Sequence, residues 1–165
     1  MKETTINAKA SSSHSNNVSS MNYTNFLPVP EDETILKVSI YDFQRAKKKQ
    51  EFLVLGSHFL TTLCNKISCD RVGYQGVVPN YFYIDGVCYC DEVDERSKSH
   101  LPNRVQFRPM RGTRFLDTNP VQGSHCLYAH GNNCQHILVF NDRRPLGMKD
   151  EQDYSQYPLE TYHRE

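Results

Sequence analysis

Residues 125–144 constrain the fold of this chain more than any other stretch, because they place metal-ligand side chains directly before an apolar segment. The ligand types follow a Cys-x3-His-x3-Cys-x-His pattern, at Cys126, His130, Cys134 and His136. Side chains two positions apart on a strand point to the same face, so a strand over residues 137–140 would project Cys134 and His136 together. Residues 131–133, Gly-Asn-Asn, tolerate left-handed backbone conformations and favour a turn. The pattern therefore predicts a turn that brings Cys126 or His130 back toward that pair.

These four side chains have two interpretations. Thiolate and imidazole groups held side by side are the ligands that a tetrahedral zinc prefers, so Cys126, His130, Cys134 and His136 are candidate zinc ligands. Alternatively, Cys134 is a small buried hydrophobe and His130 a hydrogen-bonded turn residue. The second interpretation accounts for Cys126 but leaves four ligand-type residues within eleven positions unexplained.

Composition divides the 165 residues into three regions. We predict a disordered Ser/Asn-rich tail at residues 1–30, a folded domain at residues 31–146 and a polar C-terminal tail at residues 147–165. No apolar run is long enough for a signal peptide or a membrane span, so we expect an intracellular protein without membrane contact. In that setting the six cysteines are better explained as reduced thiols or metal ligands than as disulfides.

Apolar periodicity predicts a sheet that carries one helix. Alternation indicates strands at residues 35–41 and 51–55, which form a hairpin. One helical stripe follows, with Ser57 as the N-cap, at Phe59, Leu60, Leu63, Cys64 and Ile67. Two strands followed by a helix on the sheet are the opening of a β-grasp, or ubiquitin-like, arrangement.

Two further segments complete the predicted sheet. Asp85-Gly86 lies between apolar residues 80–84 and 87–89, which is a strong hairpin signal. Residues 137–140 supply a last core strand. We therefore predict an α+β fold, in which a β-grasp core carries an added hairpin and a partial zinc-binding segment.

The formal net charge is zero, but the charges are segregated along the chain. A basic cluster lies at residues 45–49 and an acidic loop at residues 85–95. A run without acidic residues holds four arginines, Arg104, Arg108, Arg111 and Arg114. Because arginines neutralise phosphates and enter DNA grooves, these four are candidate DNA-binding residues. The alternative is that they only solvate a surface.

Four blocks of sequence occur in a fixed order across residues 35–146. They are Phe-Leu-Val-Leu-Gly-Ser at residues 52–57 with the apolar positions after it, Tyr-Ile-Asp-Gly-Val-Cys-Tyr at 83–89, Thr-Arg-Phe-Leu-Asp at 113–117, and the Cys/His segment at 128–143. In this order the blocks resemble subunit 3 of the snRNA-activating protein complex, the multisubunit factor that binds the proximal sequence element of small nuclear RNA promoters. The chain looks like a short, C-terminally truncated member of that family.

The chain also departs from the family's pattern. The family typically writes Tyr-Cys-His-Gln-Gly-Asp-Cys-Glu-His, whereas Ala129 stands at its first cysteine here. Family members continue past a Tyr-Pro step, here Tyr157-Pro158, into further cysteine pairs that complete a zinc-binding region. The resemblance therefore carries over Cys134 and His136 as zinc ligands. Cys126 or His163 would have to replace the others, or the site is vestigial.

The resemblance implies a nuclear, non-enzymatic subunit of a transcription initiation complex that serves RNA polymerase II and RNA polymerase III. Its implied partners are the other subunits and promoter DNA, with zinc as the cofactor. Residue spacing reveals no nucleophile with a base, no Gly-rich phosphate loop and no paired carboxylates, and we expect no small-molecule substrate. Two other functions remain open: a degenerate paralogue that acts as a scaffold without binding DNA, and an unrelated β-grasp adaptor that recognises proteins.

Overall fold

A computed structural model describes residues 25–69, 80–92, 101–131 and 134–165. Within these ranges the strands are β1 Thr34–Asp42, β2 Lys48–Leu55, β3 Tyr81–Ile84, β4 Val87–Cys90, β5 Gln106–Arg108, β6 His125–His130, β7 Cys134–Pro145 and β8 Leu159–His163. The helices are α1 Leu60–Cys64 and α2 Phe115–Thr118, and a 3-10 turn covers Tyr154–Gln156. Neither described helix has the length and apolar character needed to cross a bilayer.

All eight strands belong to one sheet, in the order β5-β4-β3-β6-β7-β1-β2-β8. Strands β4 and β5 are parallel, and the other neighbours are antiparallel. The long strands β1 and β7 pair at the centre, where Val38 lies opposite Phe140 and Ile40 lies opposite Leu138. The sheet therefore joins the N-terminal hairpin to the Cys/His segment directly.

The main core follows the alternation of the N-terminal hairpin. Leu36, Val38 and Ile40 of β1 are buried, and they pack in one cluster with Phe52 and Val54 of β2. This confirms the predicted strand face. Each fully buried aliphatic side chain of this kind contributes about 1.5–3 kcal/mol relative to an exposed one.

The Asp-Gly turn between β3 and β4 is also confirmed. Asp85 has a φ of 46° and Gly86 a φ of 86°. Positive φ at both central residues is the geometry of a type I′ turn, which matches the twist of a two-residue hairpin. Tyr81 accordingly pairs with Cys90, and Ile84 with Val87.

The prediction of an α+β fold with a β-grasp core is wrong. A β-grasp core has a long helix packed across its sheet, whereas α1 has five residues and α2 has four. The expected helix stops at Asn65, and Ser68 then donates its backbone N–H to the side-chain oxygen of Gln50, at 2.9 Å. This bond draws the chain toward the sheet before a second helical turn can follow. The described fold is an eight-stranded mixed sheet with few helical residues.

Two of the sequence blocks contact each other around Gly56. A Cβ atom added to Gly56 would lie 2.5 Å from Cγ of Leu116, so any larger residue there would force the Leu116 side chain to move. The N–H of Leu116 donates to the carbonyl of Gly56, at 3.0 Å. Ser57 does not cap α1; its hydroxyl donates to the buried carboxylate of Glu33. The segment after β2 is therefore fixed by α2 and by Glu33.

Residues on either side of the predicted domain also pack against it. Strand β8 pairs with β2, and the side chain of Gln50 donates to Glu160 at 2.8 Å. Val29 and Tyr157 are buried together beside Ile35 and Leu55. The division at residues 30 and 146 stays a prediction, and residues 1–24 of the expected tail lie outside the described residues.

Candidate metal centre

The β6–β7 hairpin brings three of the predicted ligands together. His130 pairs with Cys134 at the end of the hairpin, and Tyr128 pairs with His136 two positions further along the same strands. Gly131 has a φ of 54°, the left-handed conformation expected for the turn, whereas residues 132 and 133 lie outside the described residues. His130, Cys134 and His136 therefore converge because antiparallel pairing and the period of two place them on one face.

A fourth ligand-type side chain in this cluster belongs to a distant part of the sequence. Cys69 follows α1, and the bond from Ser68 to Gln50 anchors the residue before it. The sulfur of Cys69 lies 3.2 Å from the sulfur of Cys134. Cys69, His130, Cys134 and His136 each offer one ligand atom, and these atoms all lie within 4.8 Å of one another.

The donors of this Cys69/His130/Cys134/His136 cluster are close enough together to share one tetrahedral ion. Zinc–sulfur bonds of about 2.3 Å and zinc–nitrogen bonds of about 2.05 Å imply roughly 3.8 Å between two sulfurs, 3.4 Å between two nitrogens and 3.6 Å between sulfur and nitrogen. The sulfur of Cys134 is 3.6 Å from Nε2 of His136, which matches. The two sulfurs, at 3.2 Å, and the Nε2 atoms of His130 and His136, at 3.0 Å, are closer than these values, so the donors would move apart slightly on binding zinc. Four protein ligands leave no open position for a water, as in structural rather than catalytic zinc sites.

An aromatic wall supports the two imidazoles. The ring of Tyr128 stacks on that of His130, at 5.3 Å, and on that of buried Phe82, at 4.7 Å. The rings of His130 and His136 are parallel within 6°. Burial lowers the pKa of His130, which favours the neutral imidazole that binds metals.

Cys126, the remaining predicted ligand, lies elsewhere. It is 2% exposed, pairs with Leu138 across the hairpin, and belongs to the main core. Burial raises the pKa of its thiol to about 11, so it stays protonated at neutral pH. Among the described residues, the structure groups Cys69 rather than Cys126 with the other three. His163 also lies outside the cluster, with its Nδ1 atom 2.8 Å from Glu160.

Cys69 is the ligand-type residue of the cluster that sequence reasoning missed. Its partners are more than sixty positions away, and in sequence it reads as the exit of a helix. The one available signal was that zinc spacings usually come as separated ligand groups, which required a distant cysteine.

The four candidate DNA-binding arginines are all exposed. Arg108 belongs to edge strand β5 and hydrogen-bonds the side chain of Tyr89. Arg111 lies 3.9 Å from a carboxylate oxygen of Asp91. Arg114 precedes α2 and pairs with Asp117 at 3.2 Å, an exposed ion pair of small energy. Arg104 lies in the turn before β5.

Comparison with known proteins identifies a family for this chain. The family model described as "snRNA-activating protein complex (SNAPc), subunit 3" matches residues 50–165, which include all four members of the cluster. The chain belongs to this family. Its relatives include the snRNA-activating protein complex subunit 3 proteins of Rattus norvegicus, 28% identical over 81% of this chain, and of Mus musculus, 27% identical over 81%. The Bos taurus protein is 27% identical over 79%.

This member of the subunit 3 family spans about two fifths of the length of the curated relatives that it matches, 42% of the rat and mouse proteins and 41% of the bovine one. The family match begins at Gln50, inside β2, so strand β1 and the turn after it precede the matched residues.

Proposed function

We propose that this chain is a non-enzymatic, nuclear subunit of a complex that binds small nuclear RNA promoters and initiates transcription by RNA polymerase II or III. The observation that carries this proposal is the family match over residues 50–165. The relatives are named as subunits of an snRNA-activating protein complex, so partner subunits are the expected first contacts.

Zinc would act within this proposal as a structural tie. Cys69 follows α1, whereas His130, Cys134 and His136 lie on the β6–β7 hairpin. One ion held by all four would fasten the segment after α1 to the centre of the sheet, and metal binding of this kind contributes directly to folding free energy. Since Cys69 completes a set of four, the loss of the family's cysteine at Ala129 does not by itself leave the site incomplete.

Promoter DNA would be contacted together with partner subunits. In the arginine segment, Arg104 and Arg108 have no ion pair with another described residue, whereas Arg111 and Arg114 each lie beside a carboxylate. We therefore assign phosphate contact in this segment to Arg104 and Arg108. The two paired arginines favour a second candidate function, a scaffold that joins other subunits without touching DNA.

One set of preparations tests this proposal. The tagged chain is co-expressed with the other subunits, and the purified complex is assayed for subunit composition, zinc content and binding to a promoter duplex. We expect the partners to co-purify, about one zinc per chain, and weaker duplex binding for the Arg104→Ala/Arg108→Ala variant. Partners and zinc with unchanged duplex binding would establish the scaffold instead. A chain that captures no partner subunit would contradict both.

The ligand set has its own test in the same preparations. We expect Cys69→Ala to lose zinc, because it removes one corner of the tetrahedron, and Cys126→Ala to keep it. Elemental analysis measures both. Zinc retained by Cys69→Ala and lost by Cys126→Ala would show that the earlier sequence pattern, and not the observed cluster, describes the site.

A further inference from the structure

The turn between β1 and β2 forms a second basic surface, which the proposed function does not use. The residues of this turn precede the family match, and the turn joins strands near the opposite edge of the sheet from β5, which carries Arg108. We define the hairpin surface by five residues, Phe43, Arg45, Lys47, Lys49 and Arg164.

The tip of this hairpin has a fixed conformation. The carboxylate of Asp42 accepts the backbone N–H groups of Gln44 and Arg45, each at 2.9 Å. The N–H of Asp42 donates to the carbonyl of Lys47 at 2.8 Å, and Ala46 adopts a φ of 50°. A basic segment ordered in this way loses little conformational entropy when it binds.

A β-bulge adds Arg164 to the same surface. Ile40 pairs with Gln50 but Tyr41 pairs with Lys48, so Lys49 is an extra residue in β2. Bulges redirect side chains. The N–H of Arg164 donates to the carbonyl of Lys49 at 2.8 Å, and both residues line a cleft with Phe43.

Basic residues outnumber acidic ones in the turn of this surface. Lys48 is occupied, because it pairs with Glu51 and lies 5.0 Å over the ring of Tyr162. Arg45 and Lys47 are exposed and form no ion pair with another residue in the described part of the chain. Asp42 is the one acidic residue in the sequence of segment 42–49, and its carboxylate accepts the two backbone N–H groups.

An aromatic ring stands among these cations. Phe43 is 50% exposed. Cations that flank an exposed apolar ring match the backbone of DNA, which offers phosphates at regular intervals with apolar sugar surface between them. We choose DNA over an acidic protein segment because the proposed function already brings promoter DNA to this subunit.

The same cleft borders the metal centre. Cys69, Cys134 and His136 line it together with Phe43, Lys49 and Arg164. Metal binding would therefore fix the floor of the hairpin surface. We propose that the hairpin surface binds the phosphate backbone of duplex DNA, as a contact separate from Arg104 and Arg108. This inference rests on the proposed function, since it names a second DNA contact of the same subunit.

Salt-dependent binding tests the inference. The probe is a fluorescent 20-base-pair duplex, titrated with the purified full chain at several salt concentrations. Each phosphate neutralised contributes a log-log slope of roughly −0.9, so Arg45→Ala/Lys47→Ala should reduce the slope by about 1.8. Arg164→Ala should reduce it by about a further 0.9. The matched control, Arg143→Ala/Lys149→Ala, removes the same charge from exposed positions outside the surface and should keep the wild-type slope.

Circular dichroism and zinc content verify that each variant is folded. Equal slopes for the hairpin variant and wild type would overturn the inference. It would also be overturned if the hairpin variant kept its DNA affinity but lost partner subunits, which would identify an acidic protein as the occupant. Co-purification of partner subunits with the wild-type chain tests the proposed function separately. The proposed function and the inference about the hairpin surface can therefore fail independently.

Discussion

Two hairpins of this sheet carry ligand-type residues two positions apart, and they differ in outcome. In the β6–β7 hairpin, Cys134 and His136 join Cys69 and His130. In the β3–β4 hairpin, Cys88 and Cys90 are buried with Tyr81 and Leu101 in an apolar cluster. Burial raises the pKa of Cys88 to about 12 and also raises that of Cys90, so both remain thiols. Spacing alone is therefore insufficient; a ligand pair becomes a site only where other segments bring further donors to the same face.

The largest expected effect is on zinc binding and stability, when both residues of one of these pairs are replaced. Cys134→Ala/His136→Ala should abolish zinc binding and lower the free energy of unfolding by about 4 kcal/mol or more, because loss of a structural metal is among the costliest changes. Cys88→Ala/Cys90→Ala should keep zinc and cost roughly 1–3 kcal/mol as core cavities. Denaturant titrations and elemental analysis measure both. Equal losses of stability with zinc retained in both variants would remove the distinction between the hairpins.

Thiol reactivity should distinguish the two pairs of cysteines in the wild-type chain. Cys69 and Cys134 are half-buried, whereas Cys88 and Cys90 are buried. A chelator should therefore accelerate alkylation of Cys69 and Cys134 by roughly tenfold or more, because a metal-bound thiolate is shielded and a released one reacts. Cys88 and Cys90 should stay slow with or without chelator. Peptide mapping of the alkylated chain gives each rate, and uniform acceleration at all four sites would indicate general unfolding instead.

The smallest expected difference between the two hairpins is in how zinc binding and stability respond to acid. Burial lowers the pKa of His130 below that of an unfolded histidine, 6.5, so the unfolded chain takes up the proton first. This contribution to stability is therefore complete above about pH 6.5 and falls as the pH drops below it. Protons also compete with the metal for the same nitrogen. Zinc release should accordingly follow acidification, with the same midpoint in Cys88→Ala/Cys90→Ala; a shifted midpoint would couple the two hairpins.

The sequence predicted the features that depend on neighbouring residues. Alternation placed the buried face of β1, and Asp85-Gly86 placed the β3–β4 turn. The period of two also paired Cys134 with His136 correctly. Each of these depends on chain geometry over a few residues, which local sequence determines.

The rest depends on contacts between distant segments. The apolar stripe that predicted a helix to Ile67 describes burial correctly for Leu60 and Leu63, yet Gln50 ends that helix from another strand. Strand β8 is held in the sheet by backbone pairing and by polar contacts such as that of Gln50 with Glu160. Its sequence therefore shows little of the apolar alternation that would predict a strand. Cys69 becomes a candidate ligand only when the β6–β7 hairpin meets it.

The central β1–β7 pair has a consequence for how the chain reaches this structure. Val38 and Phe140 are neighbours in the sheet although most of the chain separates them. Folds dominated by such distant pairings form slowly, because closing a large loop costs chain entropy before the paired strands contribute any stabilising contacts. During synthesis, the β1–β2 hairpin emerges long before β7, with the apolar side chains of Leu36, Val38 and Ile40 still uncovered. We therefore expect the first hairpin of a nascent chain to expose, for a time, the kind of apolar surface that aggregates and that chaperones bind.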